Sequence, residues 1–137
     1  MDYLHQDKTE KIIQAFYKVY NTLGYGFLER VYHNAMLIEL GKMGFECISE
    51  KPVRVFYDSI VVGNYSVDIF VDNCVIIENK AAHSLSEADE NQLTNYLKST
   101  QLEVGLLLNF GRKPEFRRKI FTNDRKTWGT EIGKKEH

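Results

Sequence analysis

Cysteine is nearly missing from this chain of 137 residues, which contains only Cys47 and Cys74. Neither belongs to a C-x-x-C or C-x-x-H pattern, which excludes a structural zinc site of the usual spacing. Both are flanked by apolar or strand-forming residues and read as reduced, partly buried thiols. No apolar run approaches the ~18 residues of a membrane span, and no signal-peptide-like hydrophobic segment opens the sequence. The expectation is a cytoplasmic protein with no membrane attachment. In that compartment Asn64-Tyr65-Ser66, a glycosylation acceptor by pattern, carries no weight. Internal repeats, low-complexity stretches and a glycine-rich phosphate loop are also missing, since Gly24-x-Gly26 lacks a preceding strand and the rest of the fingerprint. Excess charge of one sign is absent as well. Net charge is −1 and the pI is near 6.4, which argues against high non-specific affinity for duplex DNA.

The run VDIFVDNCVIIENKA contains Asp68, Glu78 and Lys80 as D-x9-E-x-K. Side chains alternate along a strand, so Glu78 and Lys80 share a face. Asp68 joins them only if it lies opposite Glu78 or two residues along. That needs an odd number of loop residues, for instance Asp72, Asn73 and Cys74, or a bulge that restores the count. A plain two-residue Asp-Asn turn would pair Asp68 with Ile77 and separate the acids. The odd loop is the expectation, with Val67, Ile69, Val71, Val75 and Ile77 all on the opposite, apolar face. Two converging carboxylates suit a hard divalent cation such as Mg2+ or Mn2+, which lowers the pKa of a water and neutralises phosphate charge. Lys80 beside them can orient that water or stabilise negative charge on phosphoryl oxygens. The plainer account is a solvated hairpin end, because the pattern is short and common.

Further residues extend the pattern. Gly26, Glu29 and Tyr32 form G-x-x-E-x-x-Y at the start of a helical segment. Downstream, ENQLTNYLKST carries Gln92 and Tyr96 at i and i+4, after a Ser84/Glu87 pair that reads as a capping box. An apolar strand, EVGLLLNFG, follows. Together these residues resemble the bacterial GxxExxY protein family, a branch of the PD-(D/E)XK nuclease superfamily, from about residue 9 to residue 121. The resemblance implies that Asp68 and Glu78 are metal ligands and that Lys80 is the catalytic lysine. It implies that Glu29 completes the metal shell or holds the lysine, and that Gln92 and Tyr96 flank the site and position it or the nucleic acid. The residue between acid and lysine is usually apolar but here is Asn79, whose side chain should face away from the metal.

Each of these residues also has a structural account. Glu29 is an acid in the first turn of a helix, favoured by the dipole alone. Tyr32 and Tyr96 fit half-buried core aromatics with satisfied hydroxyls. Gln92 fits a surface residue. His33 follows Tyr32 and His83 follows the acidic strand, and both are read as non-ligands; His5 and His137 lie near the termini.

Residues 112–137 carry nine Lys or Arg and four Asp or Glu, against a net of −6 before them. The basic residues are Arg112, Lys113, Arg117, Arg118, Lys119, Arg125, Lys126, Lys134 and Lys135. Such a segment can contact phosphates, with Trp128 stacking on a base, or be a solvated tail.

Periodicity predicts helices over about Thr9–Leu23 and from the G-x-x-E-x-x-Y motif to about Met43, with Gly44 as the stop. Strands are expected around Cys47–Phe56, Val61–Val71 and Val75–Ala81, then the Gln92/Tyr96 helix and a strand through Leu106–Asn109. A last edge strand is expected around Arg118–Phe121. The order ααβββαβ describes an α/β (α+β) mixed sheet with flanking helices, in keeping with the superfamily core. Residues 1–121 are expected to form one domain and residues 122–137 a basic, loosely held tail.

Three functions follow as alternatives. The first is a Mg2+- or Mn2+-dependent nuclease acting on nucleic acid, DNA foremost. The second is a catalytically silent nucleic-acid- or protein-binding module of the same fold. The third is an interaction module with its acids as surface decoration. A homodimer is a further possibility for so small a chain.

Overall fold

Five strands form one mixed sheet in the order β1-β2-β3-β4-β5, covered by helices on both faces. The computed structural model describes residues 4–126. The elements are α1 (Gln6–Leu23), α2 (Glu29–Lys42), β1 (Cys47–Tyr57), β2 (Ile60–Val71), β3 (Val75–Lys80), α3 (Glu87–Lys98), β4 (Val104–Phe110) and β5 (Pro114–Ile120), closed by a 3-10 turn at Asn123–Arg125. The first three strands are an antiparallel meander, α3 crosses over to bring β4 parallel to β3, and β5 pairs antiparallel at the far edge. This is the mixed sheet expected from the sequence. α1 starts three residues earlier than Thr9, at Gln6, and β5 lies at Pro114–Ile120 rather than at 118–121. Two of the described residues beyond it are tied to the domain: the Asn123 N–H donates to Glu103 Oε2 (2.7 Å), and Lys126 Nζ donates to the Thr100 and Leu102 carbonyls (3.0 and 2.6 Å). Trp128, Lys134, Lys135 and His137 lie outside the described residues.

Alternation along β3 and β4 builds two cores. Ile69, Val71, Val75, Ile77, Val104, Leu106 and Leu108 face α1 and α2, where Ile12, Phe16, Tyr32, Met36 and Leu40 meet them at helical spacing. Phe70, Ile76 and Leu107 face α3, where Leu93, Tyr96 and Leu97 cover them. Each such side chain removed from water contributes about 1.5–3 kcal/mol. Gly105 permits the close approach of α3: a Cβ there would stand 2.7 Å from Leu93 Cδ1.

Val67 departs from the expected pattern. It does not join Ile69 and Val71 but packs with Val53, Phe70, Ile76 and Tyr96 on the α3 face. The reason lies beside it. Glu50 sits in the left-handed region (φ 55) between Ser49, paired with Ile69, and Lys51, paired with Val67, while β2 pairs with β3 only through Ile69–Val71. With a left-handed partner on one side and no third strand on the other, β2 rotates at Asp68 and alternation restarts.

Candidate active site

The β2–β3 connection sets the parity of the site. Asp72 and Asn73 both have positive φ (51 and 52), and the Cys74 N–H closes the turn on the Val71 carbonyl at 2.8 Å. Cys74 is an additional residue, so Val71 faces Val75 and Ile69 faces Ile77. Continuing the register puts Asp68 opposite Glu78, as the odd loop requires. The turn is anchored too: Asp72 accepts from the Glu46 N–H and from Lys8 Nζ, both at 2.8 Å.

At Asp68 and Glu78 the backbone ladder stops and the carboxylates replace it. The Asp68 N–H donates to Glu78 Oε1 (3.0 Å), and the Asn79 N–H donates to Asp68 Oδ2 (2.8 Å). Each acid thus bonds the partner strand's backbone, and both sit in the gap between β2 and β3. Burial is the main force on both groups. It pushes Glu78 up to about 8, reinforced by the negative charge of Asp68 and, more weakly, of Glu29. Asp68 is also raised by burial, against the pull of the Asn79 N–H, His33 and Lys80. Two buried acids held together resist ionising together.

Lys80 projects towards α3. Its Nζ lies 3.9 Å from Asp89 Oδ1, with both side chains about one quarter exposed. Asp89 has a second task as part of the helix cap. Ser86 Oγ accepts from the Asp89 N–H and Asp89 Oδ2 accepts from the Ser86 N–H. The capping box is therefore Ser86/Asp89, not the Ser84/Glu87 pair suggested by the sequence. The chain just beyond Lys80 is held by Asn109, which sequence reasoning missed. Fully buried opposite Lys80, it brackets the exit from β3 through the Ala82 N–H (2.9 Å) and carbonyl (3.0 Å). The signal was a lone amide, next to last in an otherwise apolar strand.

The helical contributions come from opposite faces of the sheet. On one side Glu29 is the first residue of α2, exposed, and with Arg30, His33, Glu50, Asp68 and Asn79 lines a cavity of about 60 Å³. Tyr32, four-fifths of a turn further on, is structural. Its hydroxyl donates to the Gly24 carbonyl (2.6 Å) and accepts from the Phe27 N–H (3.2 Å), and its ring stacks on Phe110 at 4.4 Å. It thereby pins the loop that delivers Glu29. His33 is buried and shares a 2.7 Å hydrogen bond with Ser49 Oγ. On the other side, Tyr96 packs into the α3 core, its hydroxyl pushed up to about 12 by burial and by the nearby Glu78 and Asp68 charges. Gln92 and Tyr96 both line a groove of about 560 Å³ between α3 and the β1–β2 ribbon.

By alternation Asn79 lies on the other side of β3 from Glu78 and Lys80, but it lines the cavity that contains Asp68 and Glu29; it is buried, and neither its Oδ1 nor its Nδ2 has a protein hydrogen-bond partner. The described members of the basic segment are largely engaged. Arg117 and Lys119 pair with Glu90 of α3, Arg118 donates to the Leu4 carbonyl, and Arg125 lies over Phe121.

A family model for the PD-(D/E)XK nuclease superfamily matches residues 6–119. The chain belongs to the PD-(D/E)XK nuclease superfamily. The five-strand mixed sheet with three helices is consistent with that fold. No curated protein and no solved structure matches the chain. PD-(D/E)XK nucleases typically act with divalent metals. Among the described residues, no three or more His, Cys, Asp or Glu side chains are gathered closely enough to hold an ion. The Asp68/Glu78 pair offers hard oxygen donors whose mutual repulsion a divalent cation relieves, and such cations are commonly held by one or two carboxylates with water and substrate oxygens. The residues present fit the ion on that basis. No helix is long and apolar enough to cross a membrane among the described residues.

Proposed function

We propose that this protein is a Mg2+- or Mn2+-dependent nuclease that hydrolyses phosphodiester bonds, DNA foremost, with Asp68, Glu78, Lys80 and Glu29 at its centre. The observation that carries the reading is the pair of carboxylates bonded across parted strands, Glu78 accepting from the Asp68 N–H and Asp68 accepting from the Asn79 N–H, with Lys80 two residues beyond Glu78 on β3. A cation held by Asp68 and Glu78 supplies Lewis acidity at the phosphate and lowers the pKa of the attacking water. Lys80 lies on the Glu78 side of β3, suited to hold that water in line or to stabilise charge developing on a phosphoryl oxygen. Asp89 faces the lysine at 3.9 Å, and Asn109 holds the backbone two residues beyond it at Ala82. Glu29, which the family resemblance would make a further ligand, stands outside ligating distance here and adds negative charge from the α2 side, while Gln92 and Tyr96 border the path of the nucleic acid on the α3 side.

The experiment is incubation of the protein with single-stranded, duplex and branched DNA and with RNA, with Mg2+ or Mn2+, alongside Lys80→Ala and Glu78→Gln. Metal-dependent cleavage lost by ~10²–10⁴-fold in both variants is expected. Cleavage that persists in Lys80→Ala would remove the assignment, and tight binding without cleavage would favour the silent module.

A further inference from the structure

The groove beside α3 holds an arrangement that phosphodiester hydrolysis does not itself require. Tyr65 on β2 is 46% exposed, yet its ring is set: it lies 5.7 Å from the Tyr96 ring at 58°, over Gly63, where a Cβ would stand 3.1 Å from Tyr65 Cε2. Facing it, one side of α3 presents Asn91, Gln92 and Asn95, three side-chain amides with both donors and acceptors. Lys98 is the one charged residue in the lining, so the groove is built for flat, neutral, hydrogen-bonding groups rather than for phosphates. Its volume of about 560 Å³ falls in the range of small-molecule sites of ~300–1,000 Å³. Tyr96 lines the groove and packs in the core on the same face of the sheet, and the charges of Glu78 and Asp68 act on its hydroxyl.

We infer that this groove receives an unpaired nucleobase, stacked on Tyr65 and read along its edge by Asn91 and Asn95, which makes the preferred substrate a single-stranded or frayed nucleic acid. The inference rests on the nuclease reading for its position in the reaction but not for the binding itself. A base within a duplex offers neither its faces nor its pairing edge, whereas stacking on an aromatic ring is available to any unpaired base. The ribbon carrying Tyr65 and the helix carrying the amides are thus two walls of one slot. The chain strings its phosphate past Tyr96 towards Asp68 and Glu78.

The test measures binding by fluorescence anisotropy with Ca2+ as the cation. The probes are thymidine and uridine oligomers of about ten nucleotides, the same backbone with abasic units, and a blunt duplex. Hydrolysis of bis(4-nitrophenyl) phosphate with Mn2+ is followed separately. The base-bearing strands should bind about tenfold more tightly than the abasic strand or the duplex, and Tyr65→Ala should erase that margin while Tyr65→Phe keeps it. Asn95→Ala should weaken base-bearing strands alone, and the thymidine and uridine arms separate DNA from RNA preference. Hydrolysis of the small diester should be unchanged in Tyr65→Ala. Equal binding of abasic and base-bearing strands, or a Tyr65→Ala variant indistinguishable from the parent, would overturn the groove and leave the hydrolytic site standing. Base-dependent binding without hydrolysis of the small diester would instead retain the groove and remove the nuclease reading.

Discussion

Asp68 and Glu78 satisfy each other's strands: the Asp68 N–H is bonded to the Glu78 carboxylate, and the N–H next to Glu78 is bonded to the Asp68 carboxylate. The acids are therefore both the proposed ligands and the terminus of the β2–β3 ladder.

The raised Glu78 pKa gives a pH dependence with a definite sign. The folded chain keeps the Glu78 proton up to about 8, whereas the unfolded chain loses it near 4.5, so the folded state binds more protons in between. Stability contributed by the protonated acid is complete below about 4.5 and falls as pH rises towards 8. Thermal melting of metal-free protein should show this loss, and Glu78→Gln should flatten it. Mn2+ binding must expel the same proton, so below pH 8 affinity should rise by up to tenfold per pH unit, measurable by calorimetry. A pH-independent affinity would contradict the assignment.

Asp89 joins the helix cap to Lys80, and the two roles separate by substitution. Asp89→Asn keeps an oxygen for the Ser86 N–H but loses the charge facing Lys80. Stability should change by less than about 0.5 kcal/mol, while cleavage falls by roughly tenfold. Asp89→Ala should additionally lose ~1 kcal/mol through the cap. Urea unfolding with single-turnover cleavage on both variants distinguishes the effects.

Removing the Tyr32 hydroxyl leaves its ring on Phe110 but frees the Gly24 carbonyl and the Phe27 N–H. Tyr32→Phe should cost about 1 kcal/mol and lower cleavage at unchanged substrate affinity, since Glu29 is no longer held. Full activity in Tyr32→Phe would show that the loop holds itself.

Asn79 buries an amide with no protein partner, a placement that costs roughly 1–3 kcal/mol. Asn79→Val should raise the melting temperature without weakening metal binding. A lowered melting point would show that the amide is satisfied within the cavity it shares with His33 and Glu29.

Gly111→Ala should destabilise by about 1–3 kcal/mol, because the added carbon would run into the Ala82 carbonyl, which the Asn109 clamp fixes. Denaturant titration reads the loss directly.

Much of this was legible in the chain because period and parity are local properties. The alternation in β3, the helical spacing of Ile12, Phe16 and Val19, and the odd count from Asp72 to Cys74 follow from short stretches of sequence. What escaped prediction depends on distant partners. Val67 changed faces because Glu50, far along the chain, adopts a left-handed backbone. The cap is a local exception, since α3 begins at Glu87 and so makes Ser86 the N-cap with Asp89 at the third helical position, whereas Asn109 became a clamp only once α3 had carried β4 alongside β3. The Tyr65 slot has walls from two elements that share no motif.

That crossover also orders events in time. Hairpins can zip as soon as they are made, but a parallel neighbour must wait for everything between to be laid down. Refolding followed by pulsed hydrogen exchange is expected to protect the β1–β2–β3 meander first and the Ala82 N–H later, when Asn109 docks on it.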